Sequence, residues 1–341
     1  RHTRVRRDWS SDVCSSELGQ MGKHYTDLDG MRGILAVVVM LYHYGLNTLL
    51  EKLSAGAIRA GEWGLCVDFF FLLSGFVLAL SFNRELPNLA AYAEKRVRRL
   101  APAFLLTTIW VLLIPGQSAD LLELAANGAM VQSLFNIRSI NYPGWSVPFE
   151  LVVPAVGLAM WSVFMRRPVI VFSGAMIVGA AAAYLLVLGH DIPWLRATSG
   201  IWGGFALFEL RHRVPSFKHP GFVALVLLTA CILVMLFAKT LPALAMLFLP
   251  VAAMTVAVGA RGRTVLSTQP FQAVGRWSYG IYLVHVPVLL TAALLLGTAD
   301  GVATKLGMAV VTIMLAGLLY RFIEVPLMGR RRPAGHAAPA A

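Results

Sequence analysis

The chain has 341 residues, 58% of them hydrophobic and 13% charged, with a mean hydropathy of +0.71. That composition excludes an ordinary soluble domain and reads as a polytopic membrane protein. The formal charge of +12 is no nucleic-acid signature, because the basic residues cluster in alternate loops between apolar runs. Of the three cysteines, Cys14 lies in a polar N-terminal stretch and Cys66 and Cys231 in apolar runs, so no disulfide framework is expected.

Residues 1–20 are polar, basic and Ser-rich, with no apolar run to serve as a signal-peptide core. They are expected to lie outside the fold, as a non-native stretch or a disordered cytoplasmic arm, with the natural start near Met21. Ten apolar runs of membrane-crossing length follow, at about 31–50, 63–82, 100–116, 148–165, 168–189, 194–210, 220–238, 241–259, 275–297 and 303–323. The weaker run 120–135 is interrupted by Asp120, Glu123 and Asn127 and is expected to be re-entrant or interfacial.

Basic residues mark the exits of the even-numbered runs: Arg84 and Lys95 to Arg99, then Arg166 and Arg167, Arg211, Arg213 and Lys218, Arg261, Arg263 and Arg276, and Arg330 to Arg332. The other loops hold little beyond Lys52, Arg59, Arg138, Arg196, Lys239 and Lys305. The positive-inside rule then puts both termini in the cytoplasm, a parity that ten spans satisfy and eleven do not. The predicted fold is all-α and polytopic: about ten transmembrane helices in one domain over 21–326, with a basic, disordered tail over 327–341. No internal repeat is evident.

Polar residues inside the apolar runs are the candidates for chemistry. Arg32 and His43 are eleven residues apart, which on a helix brings them to within about 20° of one face and separates them by about 16 Å. Arg32 falls at the cytoplasmic end and His43 at or beyond mid-depth, so one can hold an anion while the other moves a proton. The plain alternative is an arginine reaching lipid phosphates and a histidine satisfied by a neighbouring helix. Asp68, next to three phenylalanines, needs a partner or a proton, and either substrate binding or structural pairing fits. Arg96 and Arg99 form a cytoplasmic guanidinium cluster suited to phosphate-rich ligands, to lipid headgroups or to fixing topology alone.

Trp145, Ser146 and Glu150 are expected at the outer membrane boundary, where Glu150 can bind a polar acceptor, orient a base or offset the positive end of its helix. His285, accompanied by Tyr279 and Tyr282, is the rival intramembrane histidine, with a helix-to-helix hydrogen bond as its plain role. No HExxH, CxxC, GxSxG or Walker-type loop occurs, so metal hydrolysis, serine hydrolysis and ATP-driven transport lose support and no metal is expected.

Six motifs occur in order: LDGMRG with Arg32 and His43, VDFFFLLSGF, RVRRLAPAF, WSVPFE, SYGIYLVH and FIEVP at Glu324. Together they resemble the acyltransferase-3 family of integral membrane O-acyltransferases, from Leu28 to Pro326. Pro148 within WSVPFE, and LVVP after Glu150 where the family usually has an aromatic pair, are departures. The resemblance implies transfer of an acyl group, commonly acetyl, from cytosolic acyl-CoA to a hydroxyl of an extracytoplasmic glycan or another envelope or secondary-metabolite acceptor, in the bacterial inner membrane. It places the family's Arg and His signature on Arg32 and His43, its second basic motif on Arg96 and Arg99, and its acidic position on Glu150. His43 is then the expected general base. The remaining site candidates, Asp68, Trp145 and His285, are expected to contact substrate. Any extracytoplasmic partner is expected to be a separate chain. A proton-coupled transporter is the competing reading, since buried Asp, Glu and His in ten helices also describe such carriers.

Overall fold

The computed structural model describes residues 25–45, 48, 51, 52, 54, 61–297 and 301–327. The expected N-terminal arm, almost all of the C-terminal tail and the basic run Arg330 to Arg332 lie outside the described residues. Those residues form helices and no strand. In chain order they are α1 (Thr26–His43), α2 (Leu65–Arg84), α3 (Leu89–Leu112), α4 (Leu121–Gly128), α5 (Val147–Ala159), α6 (Trp161–Arg166), α7 (Pro168–Val187), α8 (Pro193–Leu210), α9 (Pro220–Phe237), α10 (Phe248–Gly259), α11 (Gln269–Leu296) and α12 (Val302–Leu319). A 3₁₀ turn, Pro242–Leu247, leads into α10, and a π-helical segment, Tyr320–Glu324, extends α12.

Six of these stretches are long and apolar enough to cross a membrane: α2, α7, α9, α10 with its 3₁₀ lead, α11, and α12 with its extension. The helices that miss the criterion have identifiable reasons. α1 carries Asp27, Asp29 and Arg32, and the run expected at 148–165 is broken at Met160 into α5 and α6. α3 begins at Leu89, eleven residues before the predicted start at 100, because the four basic residues that depress its hydropathy are good helix formers. The RVRR stretch expected in a loop is therefore helical. The 120–135 run forms only the eight-residue α4 and a 3₁₀ turn, too short to span. Asp120 and Glu123 close a capping box at its start.

The most extensive helix pairings are α2 with α8, α1 with α11, and α7 with α8. Lipid offers apolar side chains as good an environment as a neighbouring helix, so such pairs depend on close backbone approach. Gly204 of α8 is an instance: a Cβ there would stand 2.2 Å from the Leu72 carbonyl oxygen of α2. Gly275 of α11 plays the same part against α1, where a Cβ would meet the Asp29 carbonyl oxygen at 2.3 Å. α1 and α11 run parallel, and their contact is the spine of the site.

Candidate functional site

Arg32 and His43 both project onto α11. The Arg32 guanidinium donates from Nη2 to the Gly275 carbonyl at 2.9 Å and from Nε to Ser278 Oγ at 3.0 Å, and it pairs with Asp29 at 3.0 Å. His43 meets His285, with Nδ1 and Nε2 of the two rings 3.1 Å apart. Ser278 and His285 are seven residues apart, so about 10 Å of α11 separates the guanidinium end from the imidazole end. Sequence spacing anticipated the shared face of α1. It missed that Ser278, Tyr282 and His285, at i, i+4 and i+7, form the matching face of α11.

A cavity of about 110 Å³ opens at the guanidinium end. Arg32, Arg96, Arg99, Glu150, Ser74 and Ser278 supply polar groups to its wall, with Ser146, Tyr279 and Tyr282 beside them and Val67, Phe70, Leu73, Val77, Leu78 and Leu100 as apolar surface. Arg96 is 6% exposed and donates from Nη2 to the Glu150 carboxylate at 3.2 Å and to the Glu150 carbonyl at 3.0 Å. Its Nε is buried without a partner. Arg99, one turn on, makes no hydrogen bond or ion pair with the described residues, and Glu150 and Glu324 are its acidic neighbours. Three guanidiniums against one lining carboxylate give the cavity a predominantly cationic wall. Its volume is below the roughly 300 Å³ of a drug-sized pocket.

Glu150 lies against Arg96, which the sequence puts on the cytoplasmic side, so the two residues cannot stand at opposite membrane boundaries as expected. The segment that precedes α5 brings it there. Asn127 Nδ2 donates to the Arg138 carbonyl at 2.9 Å, and Gln132 Nε2 donates to the Gly144 carbonyl at 3.0 Å. The Tyr92 hydroxyl then holds the Glu150 and Leu151 carbonyls from α3. Ser146, on the same segment, donates to the Tyr282 hydroxyl at 3.4 Å.

Asp68 and Trp145 belong to a neighbouring cluster. Arg196 of α8, whose side chain is 2% exposed, donates from Nε to Asp68 at 2.9 Å and from Nη1 to Asp191 at 3.0 Å. Its Nη2 donates to the Gly64 carbonyl at 2.6 Å. Trp145 stacks over that guanidinium at 5.1 Å. The network braces the segment that delivers Ser146 and Glu150, and neither Asp68 nor Trp145 lines the cavity. Glu324, in the π segment, is 4% exposed, has Oε1 without a partner and has Arg99 and Arg32 as its charged neighbours. Among the described residues no group of three His, Cys, Asp or Glu side chains converges as a metal site would require.

A sequence profile of the acyltransferase-3 family, described as an acyltransferase domain, matches residues 25–321. The acyltransferase MdmB of Streptomyces mycarofaciens is 25% identical over 91% of this chain and 94% of its own length. YrhL of Bacillus subtilis (strain 168), described as a peptidoglycan O-acetyltransferase, is 26% identical over 90% of this chain, which spans 55% of YrhL. BcsY of Komagataeibacter xylinus, described as a membrane-bound transacylase, is 25% identical over 87% of this chain and 81% of its own. No solved structure matches the chain. The profile covers most of the sequence, from the start of α1 into the π segment, and on that match the chain belongs to the acyltransferase-3 family of membrane acyltransferases.

Proposed function

We propose that this protein moves an acyl group, acetyl foremost, from cytosolic acyl-CoA to a hydroxyl of an extracytoplasmic glycan or other envelope acceptor, with His43 as general base. In this reading α1, α3, the broken α5 and α6, and α8 complete ten spans with both termini cytoplasmic in the inner membrane. Of the charges on those four, Asp27, Arg96 and Arg196 are buried in the bundle, where polar groups receive them. The donor's phosphates meet Arg99, Arg96 and Arg32 from the cytosol. Its thioester lies along the cavity toward Tyr282, and the acceptor reaches His43 from the opposite side. A peptidoglycan acceptor is one candidate, since the chain is similar to YrhL over most of its length.

The observation that carries the reading is the alignment along α11: three guanidiniums on one cavity, and a histidine pair about 10 Å further on. A proton-coupled carrier of a neutral substrate has no need of three guanidiniums around one cavity. The test is acyl-CoA turnover by purified protein in nanodiscs with envelope glycan as acceptor, comparing wild type, His43→Ala and Arg32→Ala. Loss of product by at least about a hundredfold in His43→Ala, with acyl-CoA binding retained, is expected of a missing general base. Full activity in folded His43→Ala protein overturns the assignment, and uptake of unmodified substrate without CoA release replaces it with the carrier.

A further inference from the structure

We propose that His285 is a positioning residue that fixes the tautomer of His43, holding its Nδ1 protonated and leaving Nε2 bare as the basic nitrogen. The inference rests on the reading of His43 as the base and adds to it which nitrogen acts and what makes it act.

The assignment follows from the partners of each ring nitrogen. His285 Nδ1 lies 3.2 Å from the Ile281 carbonyl oxygen. A carbonyl only accepts, so this nitrogen carries the proton, and the neutral ring has its lone pair on Nε2. That lone pair faces His43 Nδ1 at 3.1 Å, and His43 Nδ1 also faces the Val39 carbonyl oxygen at 2.9 Å. Both partners of His43 Nδ1 are acceptors, so its proton sits there and is shared between them. The opposite tautomer would set a lone pair against the Val39 carbonyl. His43 Nε2 is thereby left unprotonated, and its ring is partly exposed while His285 is fully buried. Each histidine has one role that the other cannot take.

The surroundings of His285 hold it in place. Pro287 lacks the N–H that would bond the Leu283 carbonyl, and Asn141 Nδ2 takes that carbonyl at 2.9 Å. The Tyr44 hydroxyl, on the residue that follows His43 at the end of α1, donates to the His285 carbonyl at 3.0 Å and contacts Thr312 Oγ1 at 2.6 Å. Asn141 is followed by Tyr142, whose ring stands edge-on to His43 with centroids 6.0 Å apart. Two helices and one loop thus fix both rings from outside the pair.

The reaction balances on this arrangement. His43 Nε2 takes the proton of the acceptor hydroxyl as that oxygen bonds to the thioester carbonyl carbon. The carbon–sulfur bond then breaks, and the leaving thiolate recovers the proton from His43. Throughout, Nδ1–H stays donated to His285 Nε2 and the Val39 carbonyl, so the imidazolium is stabilised without a second proton moving.

The test compares His285→Phe, which keeps a ring but loses the acceptor, with His285→Gln, whose Oε1 restores an acceptor near the Nε2 position, and with His43→Ala. Expected is a fall in kcat of at least about tenfold for His285→Phe, a part of the roughly 10² to 10⁴ that general base catalysis contributes, with KM for acyl-CoA unchanged. His285→Gln should recover most of that loss. Wild-type kcat in His285→Phe beside an inactive His43→Ala overturns the positioning role alone, and equal losses in Phe and Gln overturn it as well. Active His43→Ala overturns the base itself. A measurement on the unaltered protein guards against misfolded variants: with ¹⁵N-histidine labelling, a one-bond N–H coupling is expected at His43 Nδ1 and none at Nε2. A proton on Nε2 at neutral pH refutes the proposal.

Discussion

Replacing Arg196 by Met removes one partner of a buried ion pair and leaves the other behind. The Asp68 and Arg196 side chains are 7% and 2% exposed, and their 2.9 Å contact is the buried half of the network, whereas Asp191 is 43% exposed and screened by solvent. Stranding Asp68 in the bundle should cost about 3–5 kcal/mol. Asp68→Asn, which keeps a hydrogen-bond acceptor while Arg196 retains Asp191 and the Gly64 carbonyl, should cost about 1.5–3 kcal/mol. The double variant carries no stranded charge, so it should be less destabilised than the sum by roughly 2 kcal/mol. Reversible unfolding in mixed micelles, titrated with a denaturing detergent, measures all four corners of the cycle. Acyl transfer on the same samples asks whether Asp68 touches substrate, as the sequence suggested, or only braces Trp145 and the segment leading to Glu150. Additive losses within about 0.5 kcal/mol refute the coupling. An Asp68→Asn protein of normal stability with no turnover, beside an active Arg196→Met, refutes the bracing role.

Arg99→Ala should leave stability within about 0.5 kcal/mol, because that guanidinium is exposed and makes no hydrogen bond or ion pair with the described residues. It should raise KM for acyl-CoA by roughly tenfold or more, the loss of one charge-assisted hydrogen bond, with a weaker salt dependence. Gly204→Ala should destabilise by about 1–3 kcal/mol or more, since its Cβ meets backbone at 2.2 Å and not the movable end of a side chain. Asn141→Ala strands the Leu283 carbonyl at a cost of about 1–3 kcal/mol and should lower kcat through His285. Pro287→Ala added to it restores the helical N–H, so the double variant should regain stability over Asn141→Ala alone. At the α4 loop, the hydrogen bond and charge of Arg138 hold the Glu123 carboxyl below its usual range. That pair's contribution is complete above the ordinary carboxylate pKa of about 4.3 and fades as pH falls through the depressed value, so amide exchange in 121–138 should be protected at pH 5–8 and loosen only in stronger acid.

Local features were legible in the sequence, and features made by distant contacts were not. The common face of Arg32 and His43 follows from helical periodicity alone, and both side chains do lie against α11. The failure of 120–135 to cross the bundle was readable from Asp120, Glu123 and Asn127. The pairing of Glu150 with Arg96 was not, because it joins residues 54 apart in the chain on two different helices and has no periodic signal. Asp68 needed a partner on charge grounds, but nothing local named Arg196, which is 128 residues away in the chain. The start of α3 was misplaced because a hydropathy window penalises the arginines that the helix brings to the cavity.

The hydropathy deficit and the site share one cause. Of the six helices that satisfy the apolar criterion, α7, α9 and α12 bury only 22–28% of their best window and present the rest outward. Of the helices that fail it, α1, α3, α5 and α8 bring Arg32 and His43, Arg96, Glu150, and Arg196 into contact with other helices. A charged residue in a membrane-embedded bundle persists only where other polar groups receive it, so each such helix must pack against another that carries the complement. Arg96 finds Glu150 and Arg196 finds Asp68 by this rule. Arg99 makes no hydrogen bond or ion pair with the described residues, and its exposed guanidinium lies on the cavity wall, where water or an anion can solvate it. A bound anionic donor should add stability there by mass action. Acyl-CoA binding should therefore raise the melting temperature of the wild-type protein more than that of Arg99→Ala, and equal shifts would break the link between the unpaired charge and the donor.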